Sequence, residues 1–546
     1  MLAKIIDRVG DANPQIFREL KERLTPRNIA IAIVGSLIMQ GLVLLYFYGQ
    51  LPTPDSFNPV NTIINNNYCD FSFNEKGRTY DDLCKLDGAG HFFINWQRWQ
   101  VDVFTCLSWI LPFGLILSSV YMLVADLVQE EKRGTFNFIR LSPQSAQQIF
   151  AGKILGVPIL VYIATVFILP LHLYLGCSAG DNILFLSSWY LAIGSLWFLL
   201  ASAAVLYVLL GGVQAILTVI AVSCPLWMPI AAINSFASSA IDPRLSPVST
   251  DVCWFGIAIA SNAILFNTFG SICYLAASYG VWQALERRYL NPITTLISKS
   301  QSYVANLCWQ LWIAGFVIPA LALNHHYDAF SLGLLAGMDF TALSLLIPML
   351  LPNKQALQDW SRYRRERVTQ KHRQFWRREL VQDLIHNDKS PALLAIALNI
   401  AMAMVMWIPV SIVMLFNDFT HGINTLAGIG LGASVILIYS AIAHLGLFLN
   451  VKKRKLWITA LVAGVILVPS LGAWFLSIID APTELVSFLL LFSPFAAMGT
   501  SQGGSSIFAA FAAQLAILAV LTHQLQRKIQ LSGRSQTQEM GDGSKK

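Results

Sequence analysis

The sequence predicts an all-α polytopic membrane protein with about twelve transmembrane helices in two six-span halves, together with interfacial and re-entrant helices. Of its 546 residues, 55% are hydrophobic and only 12% are charged, whereas soluble domains have roughly a quarter charged residues. The mean hydropathy is +0.57, and apolar runs long enough for a bilayer-spanning helix of ~20 residues recur along the chain. These observations exclude soluble, disordered, coiled-coil and disulfide-scaffold proteins.

The apolar runs place the spans. Eleven of them are predicted at 28–48, 103–125, 154–176, 184–209, 212–239, 254–283, 304–323, 329–351, 391–416, 424–449 and 457–479. The last apolar stretch, 485–524, is interrupted by a Gly- and Ser-rich turn at 499–506. Its first part is short for a crossing, so we expect a re-entrant half-helix followed by the twelfth span.

A polar leader, residues 1–27, precedes the first span and lacks the apolar core of a signal peptide. Asn13 is placed to cap a helix, and Pro14 suits its first turn. Apolar side chains then recur on one face until Pro26 ends the pattern. We predict an amphipathic helix that lies in the inner membrane interface; a merely solvated leader is the alternative.

The basic residues predict the orientation. With the N-terminus inside, 32 of the 37 Lys and Arg residues fall in inner segments, and none falls in a predicted span. The positive-inside rule then places both termini in the cytoplasm and the chain in the cytoplasmic (inner) cell membrane. The resulting organisation is a leader 1–27, a first half 28–290 with outer loop 49–102 and inner segment 126–153, a second half 291–524 with a basic inner segment 352–390, and a polar tail 525–546.

The outer loop contains Cys69 and Cys84 with little apolar sequence around them. We expect a disulfide if this face is oxidising, and two free thiols otherwise. The other cysteines and the histidines are dispersed and show no metal-ligand spacing, so no metal site is predicted. No catalytic residues are predicted either, because no paired carboxylates and no nucleophile–histidine grouping stand out.

The inner segment 126–153 carries the strongest functional signal. A charged end of the second span is followed by Gly134, where we expect the helix to break, and Ser142 with Pro143 is expected to cap and start a new helix into the third span. A short helix presented below the membrane suits docking into a groove on a soluble partner. The residues of this pattern are Glu130, Glu131, Gly134, Thr135, Leu141, Ser142 and Pro143.

At these seven residues the chain resembles the type-2 ABC transporter permeases, which typically show an acidic-basic run, Gly-Thr and Leu-Ser-Pro after the second span. The resemblance implies the permease subunit of an ATP-driven exporter whose inner segment couples to a separate ABC ATP-binding subunit. Charge-poor spans favour a hydrophobic or amphipathic substrate. The chain contains no phosphate-binding P-loop sequence, so ATP and Mg are expected on the partner; this chain is expected to hold no cofactor and not to be an enzyme.

Residues 291–524 are predicted to be a second, diverged copy of the first half. Two spans, an inner segment and four spans follow in the same order, and Ser390 with Pro391 is expected to open the ninth span. A second coupling segment is therefore placed at Asp383, Ser390 and Pro391. Members of the family usually have six spans and pair, so we expect either a homodimer or a pseudo-dimeric monomer.

Asp339 is the one acid inside a predicted span. Burial of its charge in mid-membrane costs ~3 kcal/mol or more, so an ion- or substrate-linked role is one hypothesis. The other is that Asp339 lies near the outer interface or that the span boundary is displaced. The alternative function, a twelve-span secondary transporter coupled to an ion gradient, requires that Asp339 matters.

The basic stretch 362–378 is interleaved with aromatic residues. We interpret it as a contact with anionic membrane lipid or with a partner protein, because juxtamembrane basic residues gain ~1 kcal/mol each at such a surface. No nucleic acid is expected.

Overall fold

The computed structural model describes residues 13–52, 66–69, 71–73, 79–84, 92–239, 252–322, 329–368, 378–417, 419–449 and 504–532, with short pieces between 464 and 489. Several predicted features lie outside these residues. They are the first twelve residues of the leader, about half of the span 457–479, most of the re-entrant element, part of the basic stretch, and the tail beyond 532.

Helices account for most of the described chain. They are α1 (Pro14–Arg23), α2 (Pro26–Tyr48), α3 (Trp96–Arg133), α4 (Thr135–Arg140), α5 (Ala146–Gly156), α6 (Ile159–Ala179), α7 (Ile183–Leu209), α8 (Ala215–Ser239), α9 (Ala263–Leu290), α10 (Lys299–Ala322), α11 (Ala329–Leu350), α12 (Lys354–Val368), α13 (Arg378–His386), α14 (Leu393–Asn417), α15 (Phe419–Gly446) and α16 (Gly504–Ser532).

Nine helices in the described part of the chain are long and apolar enough to cross a membrane, or ten if α8 is one span bent by 43°. The nine are α2, α3, α6, α7, α9, α11, α14, α15 and α16. The protein is therefore an all-α, multi-pass membrane protein. The predicted number of twelve crossings is not confirmed.

The predicted helix in the leader is confirmed, and local capping explains it. Asn13 Oδ1 accepts hydrogen bonds from the backbone N–H groups of Gln15 and Ile16, at 3.0 and 3.2 Å. Pro14 occupies the first turn. Thr25 and Pro26 repeat this arrangement at the start of α2, where Thr25 Oγ1 accepts from the backbone N–H of Asn28 at 3.3 Å.

Two short hairpins interrupt the helices in the part of the chain that the structure describes. In the predicted outer loop, β1 (Phe71–Phe73) pairs antiparallel with β2 (Thr79–Cys84). The other hairpin, β3 (Cys253–Trp254) with β4 (Ile257–Ala258), shows that the predicted start of the sixth span at 254 is wrong. Its turn has positive φ angles at Phe255 and Gly256, and α9 begins only at Ala263. At the other end of the chain, α16 continues to Ser532, past the predicted end at 524.

Cys69 is disulfide-bonded. The backbone of Cys84 pairs with Phe71 at the start of β1, but the side chain of Cys84 lies outside the described side chains. A bond between Cys69 and Cys84 therefore stays a prediction.

The chain forms two compact units. Unit 1 comprises 1–252 and 258–289, and unit 2 comprises 253–257 and 290–546. In unit 1, α3 is the central helix and packs against α6, α7 and α8; Leu107, Ile116 and Leu123 on it are completely buried. In unit 2, α15 packs against α14 and α16, and α10 packs against α14 and α11.

Candidate functional site

Six charged side chains form a cluster where α1, the last turns of α3 and helix α5 meet. Lys153 lies at its centre and is only 1% exposed. Its Nζ is 2.7 Å from Glu19 Oε1, 2.7 Å from Asp126 Oδ2 and 2.9 Å from Glu130 Oε1. The members of this ion cluster are Arg18, Glu19, Arg23, Asp126, Glu130 and Lys153.

Two arginines of α1 complete the charge balance. Arg18 Nη2 lies 2.5 Å from Glu130 Oε1, and Arg23 Nη2 lies 2.5 Å from Asp126 Oδ1. Three acids thus face three bases, which offsets the cost of removing these charges from water. Burial disfavours the ammonium of Lys153, but the carboxylates around it outweigh that effect and raise its pKa.

Two glycines bring α5 into direct contact with α1. A Cβ added to Gly152 would lie 2.7 Å from Gln15 Cβ, and one added to Gly156 would lie 2.5 Å from Glu19 Cβ. Residues four apart share one helix face, so the pair forms a flat strip that α1 packs onto. Asn13 Nδ2 adds a hydrogen bond to the carbonyl of Gln148 at 2.7 Å.

The segment from Gly134 to Ser145 projects from this base. Gly134 ends α3 in the left-handed conformation, with φ +74°, as a helix terminus commonly does. Thr135 Oγ1 donates to the carbonyl of Glu130 at 3.2 Å. At the tip, Leu141 is 84% exposed, which is unusual for a leucine outside the apolar spans.

The predicted helix start at Ser142 and Pro143 is wrong. Helix α5 begins at Ala146, and Ser145 and Gln148 form a reciprocal capping box. Ser142 Oγ donates instead to the carbonyl of Ile139 at 2.7 Å and closes the turn before it. The Ser-x-x-Gln spacing was the signal in the sequence that identifies the true start.

The far end of the projecting segment is held by α9. The Arg140 guanidinium lies over the ring of Tyr289, 5.3 Å from its centroid, and Tyr289 meets the edge of Phe150. Gln147 Nε2 donates to Glu286 Oε2 at 3.4 Å. The ends of α3, α5 and α9 are therefore joined around this segment.

The structure divides the predicted coupling residues into two groups. Glu130 is buried in the ion cluster, whereas Glu131, Leu141 and Pro143 are exposed. Sequence reasoning missed Lys153 as the centre of the cluster. A lysine flanked by Gly152 and Ile154 in a weakly polar helix was the only local signal.

The acids of the cluster do not form an open metal site. One oxygen each from Glu19, Asp126 and Glu130 lie within 4.8 Å of one another, a donor set that could hold a cation. The Lys153 ammonium is within 2.9 Å of an oxygen of all three and occupies the position that a metal ion would take. No other such group occurs among the residues that the structure describes.

A second buried lysine holds the predicted second coupling segment. Lys299 Nζ donates to the carbonyl of Leu384 at 2.7 Å, to Ser390 Oγ at 2.6 Å and to the carbonyl of Pro391 at 3.1 Å. Burial lowers the pKa of Lys299 to about 8, and Asp388 and Asp383 oppose that shift.

The predicted start of the ninth span at Ser390 and Pro391 is wrong. Helix α14 begins at Leu393, and Ser390 Oγ donates to the carbonyl of Asp383 at 2.8 Å rather than capping a helix. Asp383 itself pairs with Arg364 Nη1 of α12 at 3.2 Å. Asp383 in α13 and the loop residues Ser390 and Pro391 are therefore fixed to α10 and α12.

Asp339 is buried in the middle of α11, whose bounds agree with the predicted span. Its Oδ1 accepts from Trp309 Nε1 at 3.1 Å and from Gln310 Nε2 at 2.7 Å, and its Oδ2 accepts from Trp407 Nε1 at 2.8 Å. Each hydrogen bond to a charged acceptor contributes ~1.5–3 kcal/mol. Together the three are comparable with the several kcal/mol that burial of one carboxylate costs.

The structure also brings a serine and a histidine together, which the sequence did not predict. Ser108 Oγ and His172 Nε2 are 2.9 Å apart in unit 1. Ser108 Oγ also lies 2.8 Å from the carbonyl oxygen of Phe104, and His172 Nδ1 lies 2.7 Å from the Tyr190 hydroxyl oxygen. Both residues, Ser108 and His172, are completely buried.

Comparison of the chain with protein-family models, with curated proteins and with solved structures returns no match.

Proposed function

We propose that the chain is the transmembrane permease subunit of an ATP-driven exporter of the type-2 ABC class, which moves a hydrophobic or amphipathic substrate. A separate ATP-binding subunit binds ATP with Mg and docks on the inner segment. The chain lies in the cytoplasmic membrane with both termini inside, in contact with membrane lipids. It acts as a homodimer, or its two units act as a pseudo-dimer.

The observation that carries this proposal is that the exposed segment from Gly134 to Ser145 is fixed to the helices at both of its ends. Leu141 projects into solvent, while both ends of its segment are fixed, one through Glu130 in the ion cluster and the other through the capped helix α5. A displacement of Leu141 is transmitted to α3 and α6 because the cluster resists distortion. A merely solvated loop needs no such base.

The predicted coupling residues then have different roles. The exposed side chains of Glu131, Leu141 and Pro143 contact the partner. The remaining residues determine the conformation of the segment. Glu130 fixes it to Lys153, and Gly134 ends α3. The hydroxyl groups of Thr135 and Ser142 donate hydrogen bonds to backbone carbonyls next to or within it.

Photo-crosslinking tests the docking. A photoreactive phenylalanine analogue is placed at Leu141, and in a matched control at Phe93, which is half-exposed near the predicted outer surface. In membranes of the native host, position 141 is expected to crosslink to a soluble ATP-binding protein, and position 93 is not. If the protein captured at 141 has no ATPase activity, or nothing is captured, the proposal is wrong.

A functional test uses Leu141→Asp. Because the side chain is almost fully exposed, thermal unfolding should stay within ~0.5 kcal/mol of the wild type. Stimulation of the partner ATPase by the permease should fall at least tenfold. Unchanged stimulation would show that Leu141 does not dock.

One observation favours the second candidate, a secondary transporter coupled to an ion gradient. It is the buried carboxylate of Asp339, which polar side chains from two neighbouring helices surround. The two functions are separated by uptake into vesicles that contain the purified chain alone. Transport driven by an imposed proton gradient, without any ATPase, would favour the second candidate and contradict the first.

A further inference from the structure

One face of α10 in unit 2 is polar along half of the helix. Lys299, Ser302, Asn306 and Gln310 recur every three or four residues, so they share a face, and all four are buried. This polar ridge begins at the end of α10 predicted to be cytoplasmic. It ends eleven residues later beside Asp339, about 16 Å away by the rise of a helix.

Hydrogen bonds connect the ridge from Ser302 to Asp339. Ser302 Oγ accepts from Asn399 Nδ2 of α14 at 3.1 Å, and Asn306 Nδ2 donates to the carbonyl of Asn399 at 2.8 Å. Gln310 Nε2 then donates both to Asn306 Oδ1 at 3.2 Å and to Asp339 Oδ1 at 2.7 Å.

Acceptors outnumber donors along this ridge. The side-chain oxygens Gln310 Oε1 and Asn399 Oδ1 are buried and have no hydrogen-bond partner. Gln310 cannot exchange its oxygen for its nitrogen, because both amide hydrogens are already used by Asn306 and Asp339. A carboxylate has about four lone-pair sites, and three donors from the described residues reach Asp339. One lone-pair site of the Asp339 carboxylate is therefore free to bind one more hydrogen.

The charges around Asp339 are sparse. Among the described side chains, its polar contacts are the neutral donors Trp309, Gln310 and Trp407. Helix α14 has no titratable residue. The titratable side chains described on the other helices packed against α11 are Lys299, Tyr303 and Cys308 on α10, and Tyr439 and His444 on α15.

Three of these groups face the other end of the ridge. Lys299 donates to the segment 384–391, Tyr303 donates to the carbonyl of Ile385, and His444 accepts from the N–H of Ala392. No basic side chain in the described part of the unit donates to Asp339, so its negative charge has no partner of opposite sign there.

We propose that Asp339 is a proton-binding site, reached along the polar ridge from the cytoplasmic end of α10. A proton delivered by a hydronium ion adds to a free lone pair of the carboxylate, and a water molecule leaves. A metal ion does not fit, because it would face indole and amide N–H groups rather than oxygen ligands. The inference does not depend on whether ATP or an ion gradient drives transport.

Infrared difference spectroscopy tests this site directly. The purified full chain in lipid nanodiscs is titrated from about pH 4 to about pH 10, a range that covers ordinary and buried carboxyl groups. We expect a carbonyl band of a protonated, buried carboxyl group to appear as the pH falls, and to be absent in Asp339→Asn. Asp383→Asn, which alters an acid of α13 outside the ridge, is the matched control and should retain the band.

A second variant keeps the proposal testable if Asp339→Asn does not fold. Trp407→Phe retains the carboxylate but removes one donor to its charged form, so the midpoint of the band should rise by about one pH unit, a tenfold change in proton affinity. The proposal is overturned if no titrating band depends on Asp339. It is also overturned if Trp407→Phe leaves the midpoint of the band unchanged.

Discussion

Replacement of Lys153 by methionine is the sharpest test of the ion cluster. Methionine has a similar length and is compatible with the buried position, but it removes the central positive charge. The three carboxylates, whose nearest oxygens lie within 4.8 Å of one another, would then be balanced by only Arg18 and Arg23. One negative charge is left buried and unpaired.

The expected decrease in the free energy of unfolding of Lys153→Met follows from the burial of the ion cluster. Removal of one partner from a buried ion pair destabilises by ~3–5 kcal/mol, because the other charge stays out of water. Arg18→Met is the matched control. Its side chain is 47% exposed, so loss of its pair with Glu130 should cost less than ~1 kcal/mol.

Thermal unfolding in detergent and limited trypsin digestion measure the two effects. In Lys153→Met, we expect a lower unfolding temperature and rapid cleavage after Lys21, because α1 leaves its place against α5. The double variant Lys153→Met/Glu19→Gln should recover part of the stability, since it removes the unpaired charge. The reasoning is refuted if Lys153→Met unfolds like Arg18→Met and its α1 resists trypsin equally well.

Three further predictions concern other parts of the chain. Gly156→Ala would place a Cβ 2.5 Å from a side-chain carbon of α1, so α1 should become sensitive to protease, whereas Gly114→Ala, which meets nothing within 4 Å, should leave its protection unchanged. The pKa of Lys299 is about 8 in the folded protein and 10.5 as a free side chain, so the folded state binds fewer protons between these values. The wild type should therefore gain up to ~3 kcal/mol of stability relative to Lys299→Met as the pH rises through this range, measured by unfolding at each pH. Mass spectrometry of a non-reduced digest should find the Cys69 peptide linked to that of Cys84, and a link to any other cysteine would contradict the prediction.

Local features of the fold could be predicted from the sequence. Asn13 and Pro14 determine the start of α1 through contacts within four residues, and the long apolar spans follow from composition. The error at Ser142 has a physical reason. Two serines three residues apart can each cap a helix, and the capping box between Ser145 and Gln148 satisfies one more backbone group.

The candidate sites could not be predicted in the same way, because their partners are distant in sequence. Lys153 meets Glu19 across 134 positions, and no pattern within one helix reveals that meeting. Asp339 could be singled out as a lone acid in a span. Its donors Trp309 and Trp407 come from two other helices, so only the fold shows how the carboxylate is satisfied. The hairpin before α9 was missed because Trp254 and Phe255 are as apolar as the span that follows them.

The position of α1 in the chain has a consequence for how the protein is made. Translation produces Glu19 and Arg23 first, while Asp126 and Lys153, to which they bind, emerge from the ribosome more than a hundred residues later. Until then the leader helix has no docking site and its charges remain hydrated. In a nascent chain arrested before residue 153, α1 should therefore be undocked. Synthesis of α5 is the step in biogenesis after which α1 can pack against unit 1.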